Sequence, residues 1–203
     1  MKLTLVCLVF CTLSAFQGAS QAQRWQGPIP VAKLRLQDHL VRRNRLDGQL
    51  WTAVNQQNNA KVEALLREGA SPDSRSPAVY APQNATVLME AAALGDEPVV
   101  RLLLFHGASI DARGLSLYLS GRGDGDYSNS TALLEACLRD DEAVVKLLVK
   151  RGANINAQDN SGTTPLSAAI WKSDWRVAQF LLDYGARSRL AERRLIGAHQ
   201  KDI

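Results

Sequence analysis

The stretch STALLEACLRDDEAVVKLLVKRGANINAQD, residues Ser130–Asp159, decides the fold because its pattern recurs on both sides of it. Aligned copies are ATVLMEAAALGDEPVVRLLLFHGASID at Ala85–Asp111 and TTPLSAAIWKSDWRVAQFLLDYGARS at Thr163–Ser188. A weaker copy, GQLWTAVNQQNNAKVEALLREGASPD, spans Gly48–Asp73. Internal repetition of this kind is typical of a solenoid, in which each unit buries its apolar face against the next.

Each unit reads as a pair of short helices. In the three clear copies a threonine precedes a glycine by 21 residues, in the pairs Thr86 and Gly107, Thr131 and Gly152, and Thr164 and Gly185. The threonine suits a helix N-cap, because its hydroxyl accepts a backbone N–H, and the glycine suits the left-handed residue that ends the second helix. Helices of about 8 to 10 residues are marginal alone in water. The units are therefore predicted to stack.

The units resemble ankyrin repeats, whose signature is Thr-Pro-Leu-His-x-Ala, then Val-Val-x-x-Leu-Leu, then Gly-Ala-Asp-Val-Asn-Ala. The matching segments are Thr164–Leu166, Val144–Leu148 and Gly152–Ala157. The resemblance covers Leu46–Ala186 and implies an all-α ankyrin solenoid of four helix-turn-helix repeats, with a capping helix at each end. The sequence departs from the signature at the histidine, which is replaced by Trp51, Met89, Leu134 and Ser167.

The order of segments follows from this alignment. We predict a signal peptide at 1–22, an amino-terminal capping segment at 23–45, and a carboxyl-terminal cap and tail at 187–203. The repeats are predicted at about 46–78, 84–116, 129–161 and 162–186 within the range 46–186. Thr131 and Thr164 are 33 residues apart, whereas Thr86 and Thr131 are 45 apart. Gly48 and Thr86 are 38 apart. The two longer spacings therefore predict two extended finger loops, a shorter one after the first repeat and a longer one after the second.

The amino terminus has the pattern of an export signal. Lys2 precedes an apolar run from Leu3 to Phe16, and the small residues Ser20 and Ala22 follow. This pattern predicts cleavage after Ala22 and a periplasmic protein, with no membrane association once the signal is removed. The run is shorter than the roughly 20 residues of a spanning helix, although an uncleaved anchor is the alternative. Cys137 would be the one cysteine left, predicted to be buried and unpaired.

Two groups of arginines and a pI of about 9.1 raise the question of nucleic-acid binding. Basic patches can bind nucleic acid, but they can also be solvated faces at the ends of a stack. The predicted export argues for the second interpretation and against a nucleic-acid partner. The arginines are Arg42, Arg43 and Arg45 near the start and Arg187, Arg189, Arg193 and Arg194 near the end.

The resemblance implies that the first helix of each repeat and the fingers line a concave surface that binds a protein. Tryptophan and arginine dominate binding hot spots. The predicted partner-binding residues are Glu90, Leu94, Leu138, Arg139, Trp171, Lys172 and Trp175 on helices, and Leu117, Tyr118 and Tyr127 on the longer finger. Other positions read as exposed are Thr52, Asn55, Gln56, Ala93, Glu135 and Ala168. Alternatively, Trp171 packs onto the carboxyl-terminal cap as core.

Catalytic and metal-binding motifs are not evident. The chain has no Gly-x-Ser-x-Gly, phosphate-binding glycine loop or His-Glu-x-x-His, so we predict neither enzyme activity nor a cofactor. Glu90 and Glu135 occupy equivalent repeat positions, which repetition explains better than acid–base catalysis. A calcium-like spacing at Asp124, Asp126, Ser128 and Glu135 has Asn129 in place of the required glycine. We therefore predict no metal.

The favoured function is that of a periplasmic binding module with one specific protein partner, monomeric when free. Within that class we favour an immunity or inhibitor protein that blocks a toxin enzyme acting in the periplasm, such as a cell-wall hydrolase. An accessory protein that supports a periplasmic catalase in peroxide defence is the alternative. An enzyme that uses Glu90, Glu135 and the carboxylates of the fingers is a hypothesis of a different class, and a purely structural spacer of the envelope is a third.

Overall fold

The computed structural model describes residues 31–76, 84–115, 129–188 and 197. Within this part of the chain the structure has eight helices and two isolated β-bridges, so the predicted all-α fold is confirmed. The helices are α1 Val31–Asn55, α2 Asn59–Arg67, α3 Val87–Ala93, α4 Glu97–Phe105, α5 Ala132–Leu138, α6 Glu142–Lys150, α7 Pro165–Trp171 and α8 Trp175–Asp183. The predicted signal peptide, both finger tips and most of the carboxyl-terminal cap lie outside the described residues.

The helices are arranged as antiparallel pairs in two layers. The first helices α3, α5 and α7 pack side by side, and the second helices α2, α4, α6 and α8 pack side by side behind them. One continuous core runs between the layers, and it includes Leu50, Leu88, Leu133 and Leu166 from the four first helices. Because each pair is covered by its neighbours, the stack buries apolar faces that a single pair would expose.

Polar side chains define where each helix begins. The first helices start at the predicted threonine caps Thr86, Thr131 and Thr164, whose side chains accept a hydrogen bond from a backbone N–H three residues later. The second helices start at Asn58, Asp96, Asp141 and Asp174, which accept in the same way. Each cap of this kind contributes about 1 kcal/mol. The predicted left-handed glycine after each second helix is also present, as at Gly152 with φ of 89°.

The first helix differs from the sequence prediction. A capping helix and the first helix of the first repeat were expected as separate elements, but α1 runs unbroken from Val31 to Asn55. The predicted boundary at 45/46 carries no helix-ending residue, and Gly48 is tolerated inside the helix. By its contacts the chain divides into residues 1–37 and 38–203. The four helix pairs, from the later part of α1 onward, belong to the second of these units.

A side chain at the end of each of the first three repeats forms a hydrogen bond to the segment after the next second helix. Asp73 accepts hydrogen bonds from the backbone N–H and the hydroxyl of Ser109, both at 2.7 Å. Asp111 accepts from the backbone N–H of Asn154 at 2.9 Å, and Asn156 accepts from that of Arg187 at 2.7 Å. Asp47 in α1 accepts a hydrogen bond from the backbone N–H of Ser71 at 2.7 Å. The stack is therefore held by polar contacts as well as by its core.

The bases of both fingers are antiparallel bridges, between Arg75 and Thr86 and between Gly114 and Ser130. Arg75 donates from Nη1 to the carbonyls of Asn84 and Arg113 at 2.8 and 2.9 Å. Arg113 repeats the arrangement one unit later, donating to the carbonyls of Asn129 and Gln158 at 2.9 and 2.7 Å. Each arginine thus joins its own finger base to the next one.

Replacement of glycine by alanine is expected to have opposite effects on stability at Gly114 and at Gly48. A Cβ added at Gly114 would lie 2.6 Å from the backbone oxygen of Asn84, whereas a Cβ at helical Gly48 would meet nothing within 4 Å. We expect Gly114→Ala to destabilise the fold by about 1–3 kcal/mol through overpacking. Gly48→Ala should stabilise it by about 0.5–1 kcal/mol, because alanine loses less backbone entropy in a helix. Thermal midpoints measure both changes, and equal midpoints for the two variants would contradict the described packing.

Candidate functional site

The ends of the first helices place four of the predicted binding residues in one line. Leu94, Arg139 and Lys172 are the residues directly after α3, α5 and α7, and Trp171 is the last residue of α7. Because these helices pack side by side, their ends are neighbours. We call Leu94, Arg139, Trp171 and Lys172 the helix-end row.

Both cations of the helix-end row contact the preceding repeat. Arg139 donates from Nε to the carbonyl of Ala93 in the last turn of α3, at 2.8 Å. A cation is favourable there because helix carboxyl ends carry a partial negative charge. Lys172 lies with its Nζ 3.8 Å from Oδ2 of Asp140 in the preceding repeat. Sequence analysis missed this role of Asp140, since the contact joins two turns 32 residues apart.

Glu90 adds a half-buried carboxyl group on α3 near the row. Burial raises the pKa of this carboxyl above its usual value, and the positive charge of Arg139 acts in the opposite direction. Burial disfavours the ionised form, whereas the nearby guanidinium favours it. Arg139 therefore influences Glu90 electrostatically while it bonds the end of α3.

Trp171 is the most exposed apolar member of the row. Half of its surface, 50%, is accessible, and the predicted exposure is confirmed. Trp175 differs, because it is only partly exposed and packs against the core from the first turn of α8. At the position of Trp171, the other repeats have Asn55, Ala93 and Leu138. Whether Trp171 contacts a partner stays a prediction.

The predicted exposure of Leu138 is wrong. Its side chain is 0% exposed, and all seven residues of α5 are buried. The reason is position, since α5 packs against α3 on one side, α7 on the other and α6 behind. The same correction applies to Glu135, Ala93 and Ala168, which are also buried. By contrast, Asn55 and Gln56 are exposed as expected, and Thr52 is partly exposed.

The buried carboxylate of Glu135 is part of the internal structure. Its Oε1 accepts a hydrogen bond from the hydroxyl of Ser130 at 2.8 Å, next to the bridge at the base of the longer finger. Glu135 and Glu90, equivalent in sequence, thus have different surroundings. The predicted finger contacts Leu117, Tyr118 and Tyr127 lie outside the described residues, as do Asp124, Asp126 and Ser128.

Cys137 fulfils its structural prediction. It is 1% exposed, it forms no disulfide, and burial raises the pKa of its thiol, with smaller contributions from the charges of Asp174 and Asp140. A buried thiol held in its neutral form is a poor nucleophile. Across residues 31–76, 84–115 and 129–188, no cluster of His, Cys, Asp and Glu has the arrangement of a metal site.

The stack of helix pairs, with Arg139 and Trp171 exposed at the helix ends, has the architecture of a repeat module for protein–protein interaction. A family model described as "Ankyrin repeats (3 copies)" matches residues 115–190, and one described as "Ankyrin repeat" matches residues 83–115. Together they span more than half of the 203 residues. The chain belongs to the ankyrin repeat family. No curated protein matches it.

The first helix pair lies before the matched ranges, so the structure extends the repeat array beyond them by one unit. Its amino-terminal half is the later part of α1, which lacks the threonine cap of the other first helices. No helix of the described chain combines the length and the apolar character that crossing a bilayer requires.

Proposed function

We propose that the protein is a non-catalytic immunity or inhibitor protein of the periplasm, which binds one toxin enzyme, such as a cell-wall hydrolase, and blocks it. The observation that carries the proposal is the half-exposed Trp171 beside Lys172 and Arg139. A large aromatic group together with an arginine has the composition of a binding hot spot.

The polar members of the surface support a specific partner over a general adhesive role. Opposite charges occur together, since Lys172 lies near Asp140 and Arg139 influences Glu90. Such an arrangement favours a partner whose charges are complementary to it and disfavours partners with other charge patterns. A single partner with matching charges is therefore the expected ligand.

The rigidity of the support favours an inhibitor. Arg139 is bonded to α3, and Lys172 extends from a helix whose start is closed by the reciprocal bonds of Thr164 and Ser167. A surface that is ordered before binding loses less entropy when the complex forms. An inhibitor must form a tight complex to keep an enzyme inactive, and a preformed binding surface favours such a complex.

The compartment follows from the predicted signal peptide at 1–22. A protein exported to the periplasm meets enzymes that act on the cell wall, and the producing cell must be protected from any that attack its own wall. Tryptophan is well suited to occlude a substrate cleft, because its ring fills a pocket and excludes water. We infer that Trp171 performs this task.

The proposal is tested by identifying the partner and then its effect. We expect one protein to be retained from a periplasmic extract by the mature chain and to lyse cells when expressed alone in the periplasm. Co-expression of the wild-type chain should restore growth, and Trp171→Ala should restore it much less. Tyr184→Ala is the matched control, because Tyr184 is also 50% exposed but follows α8.

Two outcomes would contradict the proposal. If the retained protein is a catalase, and the chain changes survival in peroxide without relieving any toxicity, the accessory role replaces the immunity role. If Trp171→Ala and Tyr184→Ala protect as well as the wild type, the helix-end row is not the inhibitory surface.

A further inference from the structure

A second surface lies on the layer of second helices, along α4. Helix α4 carries Pro98, Leu102 and Phe105 at spacings of four and three residues, which places them on one face of the helix. Phe105 is 81% exposed, more than any other large apolar residue in the described part of the chain. Its ring contacts that of His106 edge to face, with centroids 5.6 Å apart.

Comparison of the repeats indicates that folding does not require Phe105. The second helices are all nine residues long, and the last residue of each occupies the same structural position. In α2, α6 and α8 this residue is charged, as Arg67, Lys150 and Asp183. Only α4 has an apolar side chain there, and at 81% exposure it gains little from burial.

The exposed ring borders a groove with charged edges. The groove is lined by Glu97, Pro98, Arg101, Leu102, Phe105 and Arg151. Arg101 forms an ion pair with Glu97 on its own helix, and Arg151, directly after α6, is exposed. The lining is thus apolar at its centre with two guanidinium groups and one carboxylate around it, which leaves a net positive rim.

We propose that this outer groove binds an acidic amphipathic segment of a second protein. Apolar side chains of the segment would pack on Leu102 and Phe105, and its carboxylates would lie beside Arg151 and Arg101. Helices bind to grooves in this way when apolar residues recur at i, i+3 or i+4, and i+7. The charge of the rim selects an acidic segment over a basic one.

A second copy of the chain fits the groove less well. A symmetric contact would bring the net positive rim of one copy against the same rim of the other. The chain is itself basic, with a formal net charge of +4. Like charges across a contact destabilise it, so the occupant is a different, acidic protein. The apolar centre of the groove, Leu102 and Phe105, belongs to the second-helix layer, whereas the helix-end row lies at the ends of the first helices.

The test is a selection with a matched counter-selection. A display library of 16-residue segments is selected for binding to the wild-type chain. Segments that also bind the Phe105→Lys variant are then removed. The substitution introduces the residue that α6 has at this position, Lys150. We expect the enriched segments to combine Asp or Glu with apolar residues at the helical spacing. In titrations by fluorescence anisotropy, an enriched peptide should bind Phe105→Lys at least tenfold more weakly, and Arg151→Glu should also weaken it severalfold.

Two controls keep the result specific. Asp183→Lys introduces the same lysine at the equivalent position of α8 and should leave the affinity unchanged, as should Trp171→Ala in the helix-end row. Circular dichroism and thermal midpoints confirm that Phe105→Lys is folded. The proposal is overturned if no segment prefers the wild type, if the enriched segments are neutral or basic, or if Phe105→Lys binds within twofold. Phe105-dependent binding to phosphatidylglycerol vesicles without acidic-segment enrichment would also overturn it, in favour of a membrane contact.

Discussion

Replacing Trp171 by alanine is expected to weaken the partner complex by about 2 kcal/mol or more, roughly thirtyfold in Kd. The ring is half exposed at the end of α7, so its apolar surface is available to a partner before binding. Truncation removes that contact area while the buried residues of α7, such as Leu166 and Ala169, keep their packing. The affinity is measured by calorimetry with the protein captured from the periplasm.

Thermal unfolding separates the binding role of Trp171 from a structural one. We expect the midpoint of Trp171→Ala to stay within about 3 °C of the wild type, since a change near 1 kcal/mol shifts a chain of this size by 2–4 °C. For Tyr184→Ala we expect a midpoint within about 3 °C of the wild type and an unchanged affinity for the partner. A sharply lower midpoint with an unchanged affinity would show that Trp171 is a core residue, as the alternative interpretation of the sequence holds.

Leu138→Ala is expected to have the opposite pattern. Its side chain is fully buried in α5, so truncation leaves a cavity between α3, α5 and α7. Loss of a buried leucine destabilises a protein by about 2–5 kcal/mol, which lowers the midpoint by roughly 4–20 °C for a chain of this size. At a temperature where the variant is folded, its affinity for the partner should be close to that of the wild type.

If Leu138→Ala keeps the thermal midpoint of the wild type but binds the partner more weakly, this expectation is contradicted. It would place Leu138 on the binding surface, as the repeat alignment first predicted. Measuring both quantities on the same samples distinguishes the two cases, because partial unfolding lowers the active fraction whereas a lost contact changes the Kd.

The repeat architecture could be predicted because its signals are local. Thr86, Thr131 and Thr164 precede their helices directly, and each caps the helix as the sequence indicates. The left-handed glycine that follows each second helix is equally local, as at Gly152. These signals depend on residues within one turn of the helix end, so no knowledge of the neighbouring repeat is needed.

The surface was harder to predict because exposure depends on neighbouring repeats. Leu138 and Trp171 occupy the same position in successive repeats, yet one is buried and the other half exposed. The contact between Arg139 and Ala93 joins residues 46 positions apart, which no local pattern reveals. The continuity of α1 was missed because the alignment imposed a repeat boundary where the chain has no cap.

Phe105 shows which signal sequence analysis could have used. The apolar periodicity of α4 does not mark its last residue, but the alignment of the second helices does. At that position Arg67, Lys150 and Asp183 are charged and Phe105 is not. Comparison of one repeat with the others therefore identifies a departure that the average pattern conceals, and the structure places this residue on the surface at 81% exposure.

The central claim, that the helix-end row contacts one specific protein in the periplasm, is tested most directly by photo-crosslinking in living cells. A benzophenone amino acid is introduced at position 171, and separately at position 184 as the control with equal exposure. We expect illumination to join position 171 to a single periplasmic protein, whereas position 184 gives no such product. Crosslinks of equal yield from both positions, or no product from position 171 in cells that contain the captured partner, would contradict the claim.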